Sequence, residues 1–119
     1  MVIRSVLAGE TLPAPHDPNP QSPIHIEDMK WQLEALLGSA GKNALITNWC
    51  GDETLPTQDW ARWTAEYAGT QARLAVKTVP GVPLGSAADP TRRQSITGPC
   101  RTVFKDEFRK LYDELTTPA

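Results

Sequence analysis

Residues 57–79 read TQDWARWTAEYAGTQARLAVKTV, and whether this run is one helix or a helix followed by a strand decides the fold. Trp60, Trp63, Tyr67 and Leu74 recur at helical spacing. Ala61, Ala65, Ala68, Ala72 and Ala75 form a second stripe, whose small side chains let a neighbouring backbone come close. Pro56 and Thr57 open the segment, with Asp59 in the first turn, where the positive end of the helix dipole favours an acid. Gly69 interrupts it, at about 1 kcal/mol against alanine in a helix interior. Read as a stop, Gly69 leaves ARLAVKTV as a strand with Leu74, Val76 and Thr78 on one face. The two stripes favour a single helix gripped on two sides, and that is the expectation.

Two further helices flank it. Ser22 followed by Pro23 has the form of an N-cap and first helical residue, with Glu27 and Asp28 in the first turn. Ile26, Met29, Leu33, Leu36 and Leu37 then make one apolar stripe, and Gly38 is placed to end the helix in a left-handed conformation. Trp31 falls off that stripe. At the other end Pro99 opens a helix lined by Phe104, Phe108, Leu111 and Leu115. Asp106 with Lys110, Arg109 with Asp113 and Lys110 with Glu114 form i,i+4 pairs on its outside. Its stripe is expected to pack against the helix of residues 26–37 and the tryptophan helix.

The rest reads as connection. Residues 12–23, LPAPHDPNPQSP, hold five prolines and no apolar period, which predicts an extended, polyproline-like arm. Residues 43–49, NALITNW, lie between Gly41 and Gly51 as a short apolar run that periodicity cannot assign to strand or helix. Residues 79–99 contain four prolines and three glycines and read as a long loop, beyond the ~12–15 residues usual for an unstructured connection. The fold expected is mainly α, a small three-helix domain over residues 24–119 with an extended N-terminal arm over 1–23 and a basic loop over 79–99. The alternative is α+β, with short strands near 2–7, 43–49 and 71–79.

Composition narrows the function classes. In 119 residues the chain has four tryptophans but two histidines, His16 and His25, in or beside the proline-rich arm. The first residues, MVIRSVL, are too short for an apolar signal core, and no run approaches the ~20 apolar residues of a membrane span. A soluble, intracellular protein is expected. Cys50 and Cys100 do not form a CxxC pair, and with His16 and His25 they lack the short spacing of a zinc site.

Catalytic patterns fail one by one. GSAGKN at 38–43 lacks the first glycine and the final serine or threonine of a phosphate loop and follows a helix instead of a strand. Gly85-Ser86 lacks the second glycine of a nucleophile elbow. Cys50 in TNWCGDE has acids, Asp52 and Glu53, as sequence neighbours, which would raise its pKa. The adjacent acid pairs 27–28, 52–53 and 106–107 mark solvated helix ends or faces. Nothing in these patterns calls for a metal or a cofactor.

Charge asymmetry survives. Residues 1–60 carry eight acids and three bases, whereas 61–119 carry six acids and nine bases. Between Tyr67 and Lys105, Arg73, Lys77, Arg92, Arg93, Arg101 and Lys105 face Asp89 alone. An acidic partner surface fits this loop. Aromatics do not interleave with the bases, which argues against nucleic acid. Arg92-Arg93-Gln-Ser95 matches the loose RRxS pattern of a phosphorylation site. The function expected is a non-enzymatic structural or accessory subunit of a larger assembly, such as a virion, organelle complex or cytoskeletal array. Trp31, Trp60, Trp63, Tyr67, Arg92 and Arg93 are its candidate partner-binding residues. The alternatives are a small regulator or inhibitor with one target and a thiol-dependent enzyme using Cys50.

Overall fold

The structure, a computed structural model, describes residues 2–118. Gly69 turns out to be a stop. Its φ of 65° and ψ of 33° place it in the left-handed region that glycine enters without a Cβ clash, and Thr70 N–H reaches back to Ala65 O at 2.9 Å. The tryptophan helix is therefore Thr57–Ala68, and Leu74 lies on a strand, Arg73–Val76. This corrects the single long helix: the left-handed cap and a strand partner outweigh the alanine stripe.

In chain order the elements are α1 (Val2–Leu7), β1 (Thr11–Ala14), β2 (Pro20–Gln21), α2 (Ile26–Gly38), β3 (Leu55–Pro56), α3 (Thr57–Ala68), β4 (Arg73–Val76), α4 (Thr91–Thr97) and α5 (Phe104–Thr116). The architecture is mixed α/β, with five helices and two two-stranded sheets among the described residues. β1 pairs parallel with β4, Thr11 opposite Arg73 through Ala14 opposite Val76. β2 pairs antiparallel with β3, Pro20 opposite Pro56. Of the three strands expected in the α+β alternative, only 71–79 contains one. Residues 2–7 are helical, and 43–49 take neither form.

Residues 2–23, expected as an extended arm, are stitched into the body. Ile3 and Val6 of α1 are among the most buried side chains. Gln58, buried on α3, donates from Nε2 to His16 O at 2.7 Å and accepts Asn19 N–H on Oε1 at 3.1 Å, so one side chain satisfies main chain that prolines leave without a sheet. Residues 77–90 lie along the same arm. His16 Nε2 meets Val82 O at 2.9 Å, Asn19 donates to Leu84 O at 2.8 Å, and Ser86 N–H donates to Pro20 O at 2.9 Å. The long loop expected over 79–99 is interrupted by α4.

Packing centres on α3, which is gripped on two sides. Trp60, Trp63 and Tyr67 lie against Phe104, Phe108 and Tyr112 of α5, with Ile3 beneath. Ala61 and Ala65 admit Val6 of α1, alongside Leu12 and Leu74 of the parallel pair. Aromatic centroids 5.3–6.4 Å apart in tilted and edge geometries add to the area they bury. On α5 the inward residue of the third turn is Tyr112, while Leu111 is exposed. The helix starts at Phe104 after Val103, later than Pro99. Arg109 bonds Asp113, whereas Lys110 pairs with Glu107, three residues back.

α2 departs furthest from expectation. Its N-cap is His25, whose Nδ1 accepts Glu27 N–H at 3.2 Å, not Ser22, and its last helical residue, Gly38, is followed by Ser39 in a right-handed conformation. Its apolar stripe belongs to neither core cluster. It buries Asp28 and Gln32 instead.

One close approach gives a test. A Cβ on Gly51 would lie 1.8 Å from Pro23 O, whereas one on Gly38 would meet nothing within 4 Å. Gly51→Ala is expected to lower the free energy of urea unfolding by about 2–3 kcal/mol, as backbone overpacking does. Gly38→Ala should be neutral or stabilising, and equal effects of the two would show that the Pro23–Gly51 contact is not formed.

Candidate functional site

Two surfaces compete for the functional role, and a lattice of buried polar side chains separates them. Asp28 on α2 accepts Trp31 Nε1–H at 2.9 Å and Arg101 N–H at 2.8 Å on one oxygen, and Thr102 N–H at 3.3 Å and the Thr102 hydroxyl on the other. Burial pushes this carboxyl up, but the Thr102 hydroxyl, the Arg101 amide and the indole outweigh it and hold it below its ordinary value. One turn on, Gln32 accepts Trp49 Nε1–H at 3.0 Å and donates to Cys100 Sγ at 3.5 Å. Asp52 accepts Cys100 N–H at 2.7 Å and pairs with Arg93, which also donates to Thr97 Oγ1 and Gly98 O. Asp52 too lies below its ordinary pKa, because the Cys100 amide, Arg93 and Gln94 outweigh burial.

On one side of the lattice is a cleft of about 110 Å³, lined by His25, Asp28, Asp52, Glu53, Cys100 and Phe104 among others. Three carboxylates make it unsuited to an anionic ligand. The thiols nearby are not activated: burial pushes both Cys50 and Cys100 up, and Cys50 Sγ lies 3.7 Å from Ala88 O as its donor. Among the described residues no three His, Cys, Asp or Glu side chains come together as a metal site.

The other surface is the outer face of α2. Leu33 and Leu37, 45% and 67% exposed, line a groove of about 390 Å³ with Leu45 and Trp49 of the following segment, and Ile46 stands beside it at 79%. Arg92 is exposed at the rim, donating to Ile46 O at 2.6 Å. The chain is extended for its length. It measures 52 × 42 × 19 Å, and its radius of gyration of 16.8 Å exceeds the roughly 13.5 Å of a compact chain this long. Its accessible surface is 7793 Å², about 1,400 Å² more than a folded monomer of its mass exposes.

The residues singled out from sequence separate across this geometry. Trp60, Trp63 and Tyr67 pack on α5. Trp31 is half-buried under Arg101, whose guanidinium carbon lies 3.9 Å from the ring centroid. Arg93 is fully buried on Asp52, and Arg92 alone of the six is on the exposed rim. Sequence reasoning missed Asp28, Gln32 and Asp52, whose partners lie in segments far along the chain. It read Leu33 and Leu37 as core because the stripe shows amphipathicity and not which side is covered. Among the described residues no helix is long and apolar enough to cross a membrane.

Neither a family model nor a curated protein matches the chain. Solved structures do. UDP-glucuronic acid 4-epimerase from Bacillus cereus, in complex with UDP-glucuronic acid and NAD, superposes with a TM-score of 0.71 at 24% identity over 94% of this chain and 37% of that one. MoeE5 in complex with UDP-glucuronic acid and NAD gives 0.73 at 18% identity over 98% and 40%, and dTDP-glucose 4,6-dehydratase from Bacillus anthracis in complex with NAD gives 0.72 at 15% over 97% and 38%. At these identities the likeness is one of fold, and the chain spans about two fifths of the length of those proteins.

The lattice sets an acid limit. A carboxyl whose folded pKa is depressed contributes its stability in full above its unfolded value, near 4, and loses it as pH falls through the folded value. Urea midpoints should therefore hold from neutral pH to about 4 and fall below it. The double variant Asp28→Asn, Asp52→Asn should start lower and respond less to acid. An unchanged acid slope in that variant would assign the dependence to other groups.

Proposed function

We propose that this chain is the sugar-nucleotide side of an NAD-dependent epimerase- or dehydratase-type enzyme and works only against a separate dinucleotide-binding unit. The observation that carries the reading is the likeness of nearly the whole chain to about two fifths of proteins solved with UDP-glucuronic acid and NAD. The residues present do not fit the dinucleotide itself. Such a cofactor is held by a glycine-rich turn between a strand and a helix at the edge of a parallel sheet. No two of the eight glycines here are spaced as G-x-G, and the parallel pair has two short strands. NAD would belong to the other unit, and the enzyme would be complete only when the two meet.

A sugar nucleotide shared between two units lies at their seam, and its diphosphate needs a cation there. Arg92, exposed at the rim of the α2 groove, supports that role, because a guanidinium matches phosphate oxygens in two-pronged fashion. Arg93 next to it is committed to Asp52. The exposed α2 face equally favours a second reading, a non-enzymatic accessory subunit that docks on a partner but binds no nucleotide.

Nucleotide binding separates the two. Titration of the isotope-labelled chain with UDP-glucuronic acid, followed by NMR, is expected to shift the signals of Arg92 and its neighbours. Arg92→Ala should weaken binding about tenfold, the loss of one charge-assisted contact. No shift with UDP-glucuronic acid, or the same shifts with sulfate, would leave the accessory-subunit reading.

A further inference from the structure

We infer that residues 44–49 add as a strand to the sheet edge of a dinucleotide-binding unit, with the outer face of α2 closing over one side of the joint; the identity of that unit rests on the sugar-nucleotide reading. The run Ala44-Leu45-Ile46-Thr47-Asn48-Trp49 offers apolar side chains at neighbouring positions, Leu45 at 49% and Ile46 at 79% exposure. Neighbouring side chains of a strand point to opposite faces, so a run apolar at both suits a strand covered on both faces, as in parallel sheets.

The main chain points the same way. Among the described residues, no main-chain N–H of residues 41–49 donates to another group of the chain, although none of the nine is proline and Gly51 N–H resumes the pairing at Ser22 O. In water those donors cost nothing. Covered by a partner that accepts none of them, each would cost about 1–3 kcal/mol. Whatever buries Leu45 and Ile46 must therefore bring carbonyls in a row. A helix face cannot, because its carbonyls are used within the helix; a strand edge does.

The local order of elements fits this. α2, a five-residue connection and the apolar run form a helix–loop–strand unit of the length used to lay a helix on a parallel sheet. Trp49 is held to α2 by its bond to Gln32, and Asn48 by its bond to Asp89 O at 3.1 Å, so the run is fixed at its far end, while in its middle Ile46 O accepts from Arg92 at 2.6 Å and the main-chain N–H groups stay unpaired. A second copy related by a two-fold axis would pair antiparallel, an arrangement that suits alternating sequences better than this one. The surplus of about 1,400 Å² of accessible surface is what a large permanent interface would remove.

The test places a photo-crosslinking benzophenone amino acid at Ile46, and separately at Arg62 on the exposed side of α3, in the full chain within an extract of the cells that make it. The expected result is a light-dependent adduct from position 46, stronger than from 62, whose crosslinked peptide sequences to a dinucleotide-binding unit in the same or another polypeptide. Amide exchange at residues 45–49, fast in the lone chain, should slow at least about a hundredfold in that complex. A peptide from a second copy or from another class of protein, equal adducts from 46 and 62, or docking that leaves those amides fast would each overturn the proposal. UDP-glucuronic acid binding measured on the same material keeps the two readings apart. A joint without nucleotide binding removes the sugar-nucleotide function alone, and nucleotide binding without the joint removes the strand addition alone.

Discussion

The orientation of α2 hangs on one carboxylate. Asp28 gathers an indole, a hydroxyl and two main-chain amides at the point where the chain enters α5. A buried carboxylate with no partners would be strongly unfavourable, and four donors make this one favourable. Because helix faces are fixed at 100° per residue, turning Asp28 and Gln32 inward turns Leu33 and Leu37 outward. The exposed groove is thus a consequence of the polar lattice.

That explains which parts of the fold were legible in the sequence. α5 was readable because Phe104, Phe108 and Leu115 face a partner helix within the chain, so amphipathic period and burial agree. α3 was readable as a two-faced helix, and its aromatic and alanine sides are the two faces gripped. Its end was not: Gly69 weighs about 1 kcal/mol as an interior residue, and the left-handed cap gains its advantage only once β4 finds β1, 62 residues away at Thr11 opposite Arg73. The N-terminal prolines predicted an extended arm without saying what it lies on, and it is held to the body because Gln58 and the loop of residues 77–90 supply the bonds that prolines cannot make to one another.

The candidate site was illegible for a different reason. Local periodicity reports that a helix has an apolar side and is silent on whether that side meets its own chain or another. Trp31, Trp60 and Trp63 drew attention as anchors, and all three are occupied within the chain, two on α5 and one beneath a guanidinium. Arg92 and Arg93 are adjacent and carry the same charge, yet one lies at a rim and the other is enclosed by Asp52, Thr97 and Gly98. The separation follows from their placement on α4, where consecutive residues point about 100° apart.

Stability and function draw on the same economy of surface here. Among the described residues eight apolar ones are buried, three of them alanine, and five polar or charged residues are buried with them. A core that small leaves a chain of this length marginal, and burying the area still exposed on α2 and residues 44–49, as the proposed joint would, adds to its stability. Docking would then shift the folding equilibrium as any ligand of the native state does, in proportion to the logarithm of partner concentration over its dissociation constant. The buried Asp28–Gln32 edge keeps the apolar stripe of α2 outward, so in the proposed joint the partner would supply the cover that the chain's own fold withholds.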